Sequence, residues 1–295
     1  MDLKETRLFA AVHDIYPLID PETYFTLQTY KDKVVIITGG SKGIGATTAL
    51  FYAKAGARLV LVARNTAGLN ERKETLEQDV TGVEVVLVAG DISDPQISKQ
   101  AIQAAVKKWD RIDIVVSNSG LGQGGVEKFH ERDPSTWWYT QEVNVRGTLN
   151  IVHAAIPELL KTAGQVIVVS SQLAHVRVPM MADYSISKHT VNRLVEILAL
   201  EYADISFYSV HPGAIPTPGS ADVAERMGLP KGAVELPDTV GLPAATFLWL
   251  TSRHAEFLSG RYVQATWDLN EVIAKKEEIV RGNLLVMKLA GPAQT

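Results

Sequence analysis

Val34-Val35-Ile36-Ile37-Thr38-Gly39-Gly40-Ser41-Lys42-Gly43-Ile44-Gly45 decides the fold. Its β-branched opening reads as a short strand buried on both faces, the pattern of a parallel sheet covered by helices. The strand empties into a glycine-rich turn, and a helical pattern follows over 44–56. Glycines at such a strand exit let backbone N–H groups approach a pyrophosphate at the helix N-terminus, where the helix dipole favours an anion. The spacing here is Gly-x-x-x-Gly-x-Gly, not the more common Gly-x-Gly-x-x-Gly of dinucleotide sites.

Outward from this unit the same signature repeats. Leu59-Val60-Leu61-Val62, Val83 to Val88, Ile112 to Val116 and Val166-Ile167-Val168-Val169 are short, apolar and mostly β-branched; Ile205 to His211 and Arg261 to Gln264 supply a sixth and a seventh strand. Helical patterns fill 67–79, 95–108, 135–162 and 182–203. This alternation predicts an α/β fold, a Rossmann-type doubly wound sheet of about seven parallel strands with helices on both faces. We expect one domain over residues 33–268, an N-terminal arm over 1–32 and a C-terminal helical extension over 269–295. Within the extension, Glu271 to Leu289 reads as a closing helix with Gly282 as a candidate break.

Composition narrows the function classes. The 295 residues are 46% hydrophobic with a net charge of −4, enough apolar material for one large core. Cysteine is absent, which excludes disulfides, thiolate metal sites and a cysteine nucleophile. No metal site is expected. Charges are interspersed and mildly acidic, so no nucleic-acid footprint is visible, and no apolar run approaches a membrane span. The stretch Met1 to Arg7 leads into no signal-type apolar core, so a cytoplasmic location is expected.

A dinucleotide site places an acidic residue about 20 positions beyond the glycine motif, where it grips the adenosine ribose. Here the second strand ends in Ala63-Arg64-Asn65. Arg64 offers a cation to a 2′-phosphate, and Lys42 in the glycine turn points to the same region. A charge-assisted hydrogen bond contributes roughly 1.5–3 kcal/mol, or about 10- to 100-fold discrimination. The residues therefore favour NADP(H) over NAD(H).

Tyr184 and Lys188 stand one helical turn apart, on a shared face. A free phenol titrates near about 10, and bringing it close to 7 needs roughly 4 kcal/mol. A cation about 4 Å away at an effective dielectric near 20 supplies an effect of that size. The pair is thus a candidate proton-transfer device.

Together these residues resemble the short-chain dehydrogenase/reductase family in its shorter single-domain form, over about residues 33–265, and the N-terminal arm and the run Trp267-Asp268-Leu269-Asn270-Glu271 resemble its members from filamentous fungi. The resemblance implies a cofactor turn of Thr38, Gly39, Ser41, Lys42, Gly43, Ile44 and Gly45, followed by Arg64 and Asn65. It implies that Asp91 and Ile92 meet the adenine, and that Asn118, Ser119 and Gly120 line the cofactor. In Ser117-Asn118-Ser119-Gly120 the chain departs from the family's Asn-Asn-Ala-Gly at Ser117 and Ser119. Pro212, Gly213, Ile215 and Thr217 match the segment that closes over the nicotinamide.

The implied catalytic set is Asn144, Ser171, Tyr184 and Lys188, with Ser170 a rival to Ser171. In this scheme Tyr184 gives a proton to a carbonyl oxygen held by Ser171. Lys188 lowers the phenol pKa and binds the nicotinamide ribose, while Asn144 sustains a water chain. Leu173 to Met181 and the Gly/Pro-rich run from Ala214 to Leu236, with Ala221, Val223, Met227 and Leu229, suggest an apolar ketone or secondary alcohol as substrate. His175 reads as an incidental loop residue, and Trp137 and Trp138 as packing or lid contacts. The helices over Asn144–Leu160 and Tyr184–Leu200 match those that pair in family homodimers and homotetramers. Two other readings stay open: a cofactor-binding sensor or scaffold without turnover, and a non-redox reaction such as a cyclisation with NADPH as a structural part.

Overall fold

The computed structural model describes residues 6–123, 127–226, 228, 230 and 235–289. Seven strands form one parallel sheet: β1 (Val34–Thr38), β2 (Arg58–Ala63), β3 (Val85–Ala89), β4 (Ile114–Ser117), β5 (Gln165–Val169), β6 (Ser206–His211) and β7 (Arg261–Gln264). Their order is β3-β2-β1-β4-β5-β6-β7, so the winding direction reverses between β1 and β4. The register sets Ile36 opposite Val60 on one side and Val115 on the other. This is the doubly wound sheet that the alternating pattern predicts.

The period of two in the strands divides the core. Val35, Ile37, Leu59 and Leu61 pack on one face, beneath α1 (Pro21–Leu27), α2 (Gly43–Lys54), α3 (Thr66–Asp79) and α9 (Gly241–Trp249). Val34, Ile36, Val60 and Val62 pack on the other, against α4 (Pro95–Trp109), α6 (Gly147–Thr162) and α7 (Ala182–Glu201). Helix α5 (Pro134–Gln141) runs into α6 through a π-helical turn, Glu142–Arg146, and α8 (Pro218–Arg226) follows β6. Asp94 caps α4 by accepting the Gln96 N–H at 2.9 Å, and Pro95 takes the first helical position.

Several elements lie outside what the patterns foretold. Leu242 to Trp249 of α9 are all buried, so the helix has no polar face and no amphipathic period to read. Residues 6–30 do more than lie on the surface: Ile19, Tyr24 and Tyr30 are buried, and the Tyr30 hydroxyl donates to Leu248 O at 2.5 Å. The closing helix is shorter than expected. It comprises α10 (Leu269–Ala274) and α11 (Lys276–Arg281), and left-handed backbone at Asn283 (φ 45°) and Leu285 (φ 61°) ends it. The chain beyond crosses β7, where Tyr262 N–H donates to Leu285 O at 2.9 Å, and α7, where Met287 N–H donates to Glu196 at 2.7 Å. Among the described residues no helix is long and apolar enough to cross a membrane.

Candidate active site

A cleft of about 720 Å³ opens at the carboxyl edge of the sheet, where the strand order reverses. Its floor is the glycine turn. A Cβ on Gly45 would stand 2.6 Å from Asn118 Nδ2 and closer still to Gly39 O, so only glycine lets α2 start this near the strand. Asn118 ties β4 to β1 by donating to Thr38 O at 2.9 Å, while the Thr38 hydroxyl accepts the Asn118 and Ser119 N–H groups, each at 3.0 Å. Thr38, Gly45 and Asn144 thus support the lining from behind. Gly39, Ser41, Lys42, Gly43, Ile44, Asn118, Ser119 and Gly120 line the cleft itself. Lys42 is the N-cap of α2 and offers no side-chain cap, which leaves the first-turn amides beside Gly43 available to an anion. These features fit the pyrophosphate of a nicotinamide dinucleotide.

At the end of the cleft beside β2 stand Arg64, Asn65, Asp91 and Ile92. The Arg64 guanidinium donates to the Tyr139 hydroxyl at 3.1 Å and lies 3.9 Å from Asp91, and Tyr139 donates to the same carboxylate at 3.1 Å. Burial opposes ionisation of Asp91, yet hydrogen bonds from Ser93 and Tyr139 and the Arg64 charge hold its carboxyl below the usual range. Asn65 has a second task, capping α3 by accepting the Gly68 N–H at 3.1 Å. Tyr139 went unread in the sequence because it belongs to no motif; its place comes from α5 folding across this rim.

Ser170, Ser171, Tyr184 and Lys188 share the opposite wall. Helix α7 starts at Ala182 with Tyr184 and Lys188 one turn apart, as the spacing predicts. Lys188 Nζ lies 5.6 Å from the centre of the Tyr184 ring and donates to Val169 O at 2.8 Å. The expected lowering of the phenol pKa is not met in the free protein. Burial pushes Tyr184 above its usual value, with the Ser171 hydroxyl pulling the other way, and burial pushes Lys188 down to about 8. Desolvation of the phenolate, which the simple Coulomb argument omitted, is the larger of these influences on Tyr184. Tyr184 therefore stays protonated and Lys188 mostly cationic at neutral pH. Ser170 turns away, donating to Asn192 at 2.6 Å, and this leaves Ser171 as the serine that acts on the phenol.

Behind this wall lies a hydrogen-bonded support. Asn144 sits in the π-helical turn, a common device for redirecting one side chain. It accepts Leu121 N–H at 2.7 Å and donates to Leu121 O and Ser187, each at 2.9 Å. Asp183, fully buried next to Tyr184, pairs with Arg132 at 3.1 and 3.3 Å and accepts the Thr140 hydroxyl at 3.1 Å. Gln141 donates to the Asp183 carbonyl at 2.7 Å. Neither Arg132 nor Asp183 was singled out from sequence, since a separation of 51 in the chain hides the pairing.

Pro212, Gly213, Ile215 and Thr217 also line the cleft, and Leu173, Met181, Val223 and Leu236 give it apolar walls. Met180, by contrast, is exposed. His175 faces a separate hollow, with its Nε2 3.1 Å from Asn192 and its ring edge-on to Tyr262. Trp137 and Trp138 stack on each other on α5, outside the cleft. Met227 and Leu229 lie outside the described residues. The structure adds His211, the last residue of β6, to the lining; burial pushes its pKa down to about 3, with His175 adding to the effect. Its position at a strand's carboxyl end was the available signal.

The profile of the family described as short chain dehydrogenase matches residues 33–228. The chain is 35% identical to the short chain dehydrogenase citE of Monascus ruber, over 91% of this chain and 94% of that one. To the short chain dehydrogenase pigC of the same species it is 34% identical, over 94% and 91%. Levodione reductase superposes with a TM-score of 0.74 at 24% identity, covering 80% of this chain and 96% of that one. L-sorbose reductase from Gluconobacter frateurii, solved with NADPH and L-sorbose, gives 0.72 at 25% identity, over 80% and 95%. The chain belongs to the short chain dehydrogenase family, oxidoreductases that bind a nicotinamide cofactor and act on small molecules, and it is similar to fungal members.

Proposed function

We propose that the protein interconverts a ketone and a secondary alcohol on a mostly apolar small molecule, uses NADP(H), and works mainly as a carbonyl reductase in secondary metabolism. The observation that carries this reading is one cleft with Ser171, Tyr184 and Lys188 on a wall, apolar side chains beside them and the cations Lys42 and Arg64 at the far end. The bound cofactor supplies the hydride for the carbonyl carbon. Tyr184, kept protonated by burial, suits proton donation to the carbonyl oxygen, which the Ser171 hydroxyl holds. Lys188, anchored by Val169 O, keeps a positive charge near that oxygen and offers donors to the cofactor ribose. Asn144 fixes the loop at Leu121 against α7. The NADPH in the L-sorbose reductase neighbour is in keeping with this cofactor choice.

Arg64→Asp tests the cofactor assignment. It is expected to shift the ratio of kcat/KM for NADPH over NADH toward NADH by about 10- to 100-fold, the range of a charge-assisted hydrogen bond. An unchanged ratio would remove Arg64 from cofactor selection. Helices α6 and α7 leave Leu149, Leu160, Ile186, Ile197 and Leu200 exposed, which supports a homodimer or homotetramer built through these helices.

A further inference from the structure

The N-terminal arm takes no part in the chemistry above, yet it reaches the root of the loop between β6 and α8. Val12 N–H donates to Thr266 O and Asp268 N–H to Ala10 O, both at 2.8 Å, and Phe9 packs on Trp267 at 5.1 Å between ring centres. So docked, the arm brings His13 Nδ1 to 2.6 Å from Asp238 Oδ1. The imidazole is 56% exposed and the carboxylate only 4%. The other carboxylate oxygen accepts Ala214 N–H at 2.5 Å, and Asp238 N–H donates back to Ala214 O at 3.2 Å. Two further bonds lock the arm to the same point: Thr239 N–H to His13 O at 3.0 Å and the Thr239 hydroxyl to Asp14 at 2.6 Å. Gly213 has φ +112°, and a Cβ there would stand 2.8 Å from Asp238 Oδ2, so the carboxylate is pressed against the loop backbone.

Gly213, Ala214 and Ile215 line the cleft; His13, Asp14 and Asp238 do not. Buried carboxylate oxygens need hydrogen-bond partners, and here His13 holds one oxygen of Asp238 while the loop holds the other. We infer that His13 is a positioning residue: through Asp238 it fixes the Gly213–Ala214 peptide, so the arm sets cofactor affinity without touching the cofactor. This rests on the reading of the cleft as an NADP(H) site. Segment 212–217 belongs to neither β6 nor α8, so its shape depends on such side-chain bonds. When the clamp is lost, binding must order the loop, and affinity falls.

The test has two readouts on the intact chain. In the protein without cofactor, amide hydrogen exchange at Ala214 reports the clamp directly. A fluorescence titration with NADPH reports the affinity. His13→Ala is expected to speed Ala214 exchange and raise the NADPH dissociation constant, each by about tenfold, the low end for a charge-assisted hydrogen bond. Turnover at saturating NADPH should stay within about twofold of wild type. His13→Asn, whose amide nitrogen can take the place of Nδ1, should restore both quantities. Unchanged exchange and affinity in His13→Ala would overturn the inference, as would His13→Asn behaving like His13→Ala. Wild-type protein that binds neither NADPH nor NADH overturns the reading of the cleft instead, and the exchange data then judge the clamp alone.

Discussion

Replacement of Tyr184 by Phe is expected to lower turnover by about 10²- to 10⁴-fold, the usual contribution of a positioned general acid. The substitution removes one hydroxyl and keeps the ring beside Lys188, whose anchor is Val169 O and not the phenol. NADPH affinity should therefore remain within a few-fold of wild type. Steady-state rates paired with a binding titration separate the two effects. Turnover near wild type would remove Tyr184 from the chemistry.

The largest stability effect is expected at a residue that never meets the substrate. Arg132→Met leaves the Asp183 carboxylate buried without its cation, and breaking such a pair from one side costs about 3–5 kcal/mol. At about 2–4 °C per kcal/mol for a large domain, the unfolding midpoint should fall by roughly 6–20 °C. Turnover should fall as well, since Asp183 fixes the start of the helix that carries Tyr184. Replacing both partners, Arg132→Met with Asp183→Leu, should recover most of the stability, because the stranded charge is then gone. A calorimetric midpoint for Arg132→Met equal to wild type would refute this account of the pair.

How far these sites could be read in advance depended on the range of the interaction. The strands and the glycine turn were legible because a buried parallel strand leaves a run such as Val34 to Ile37, whatever it later packs against. Tyr184 and Lys188 were legible because helical geometry alone puts them on one face. The pairings of Arg132 with Asp183, of Tyr139 with Arg64, and of His13 with Asp238 were not. Each joins segments whose meeting depends on the folded sheet, and each uses a residue that singly resembles any surface charge or tyrosine. Helix α9 escaped for the opposite reason, since burial on every side erases the period that marks a helix. The spacing of Tyr184 and Lys188 conveys their distance but not the burial that pushes the phenol pKa up.

The most direct test of the central claim is transfer of a labelled hydride. Purified protein would be given NADPH carrying deuterium at C4, as either stereoisomer, together with a panel of apolar ketones, and the products weighed by mass spectrometry. The account predicts a secondary alcohol one mass unit heavier from one of the two labelled cofactors, formed by wild type and nearly absent with Tyr184→Phe. Binding of NADPH with no deuterium delivered to any carbonyl in the panel, or equal delivery by wild type and Tyr184→Phe, would contradict it.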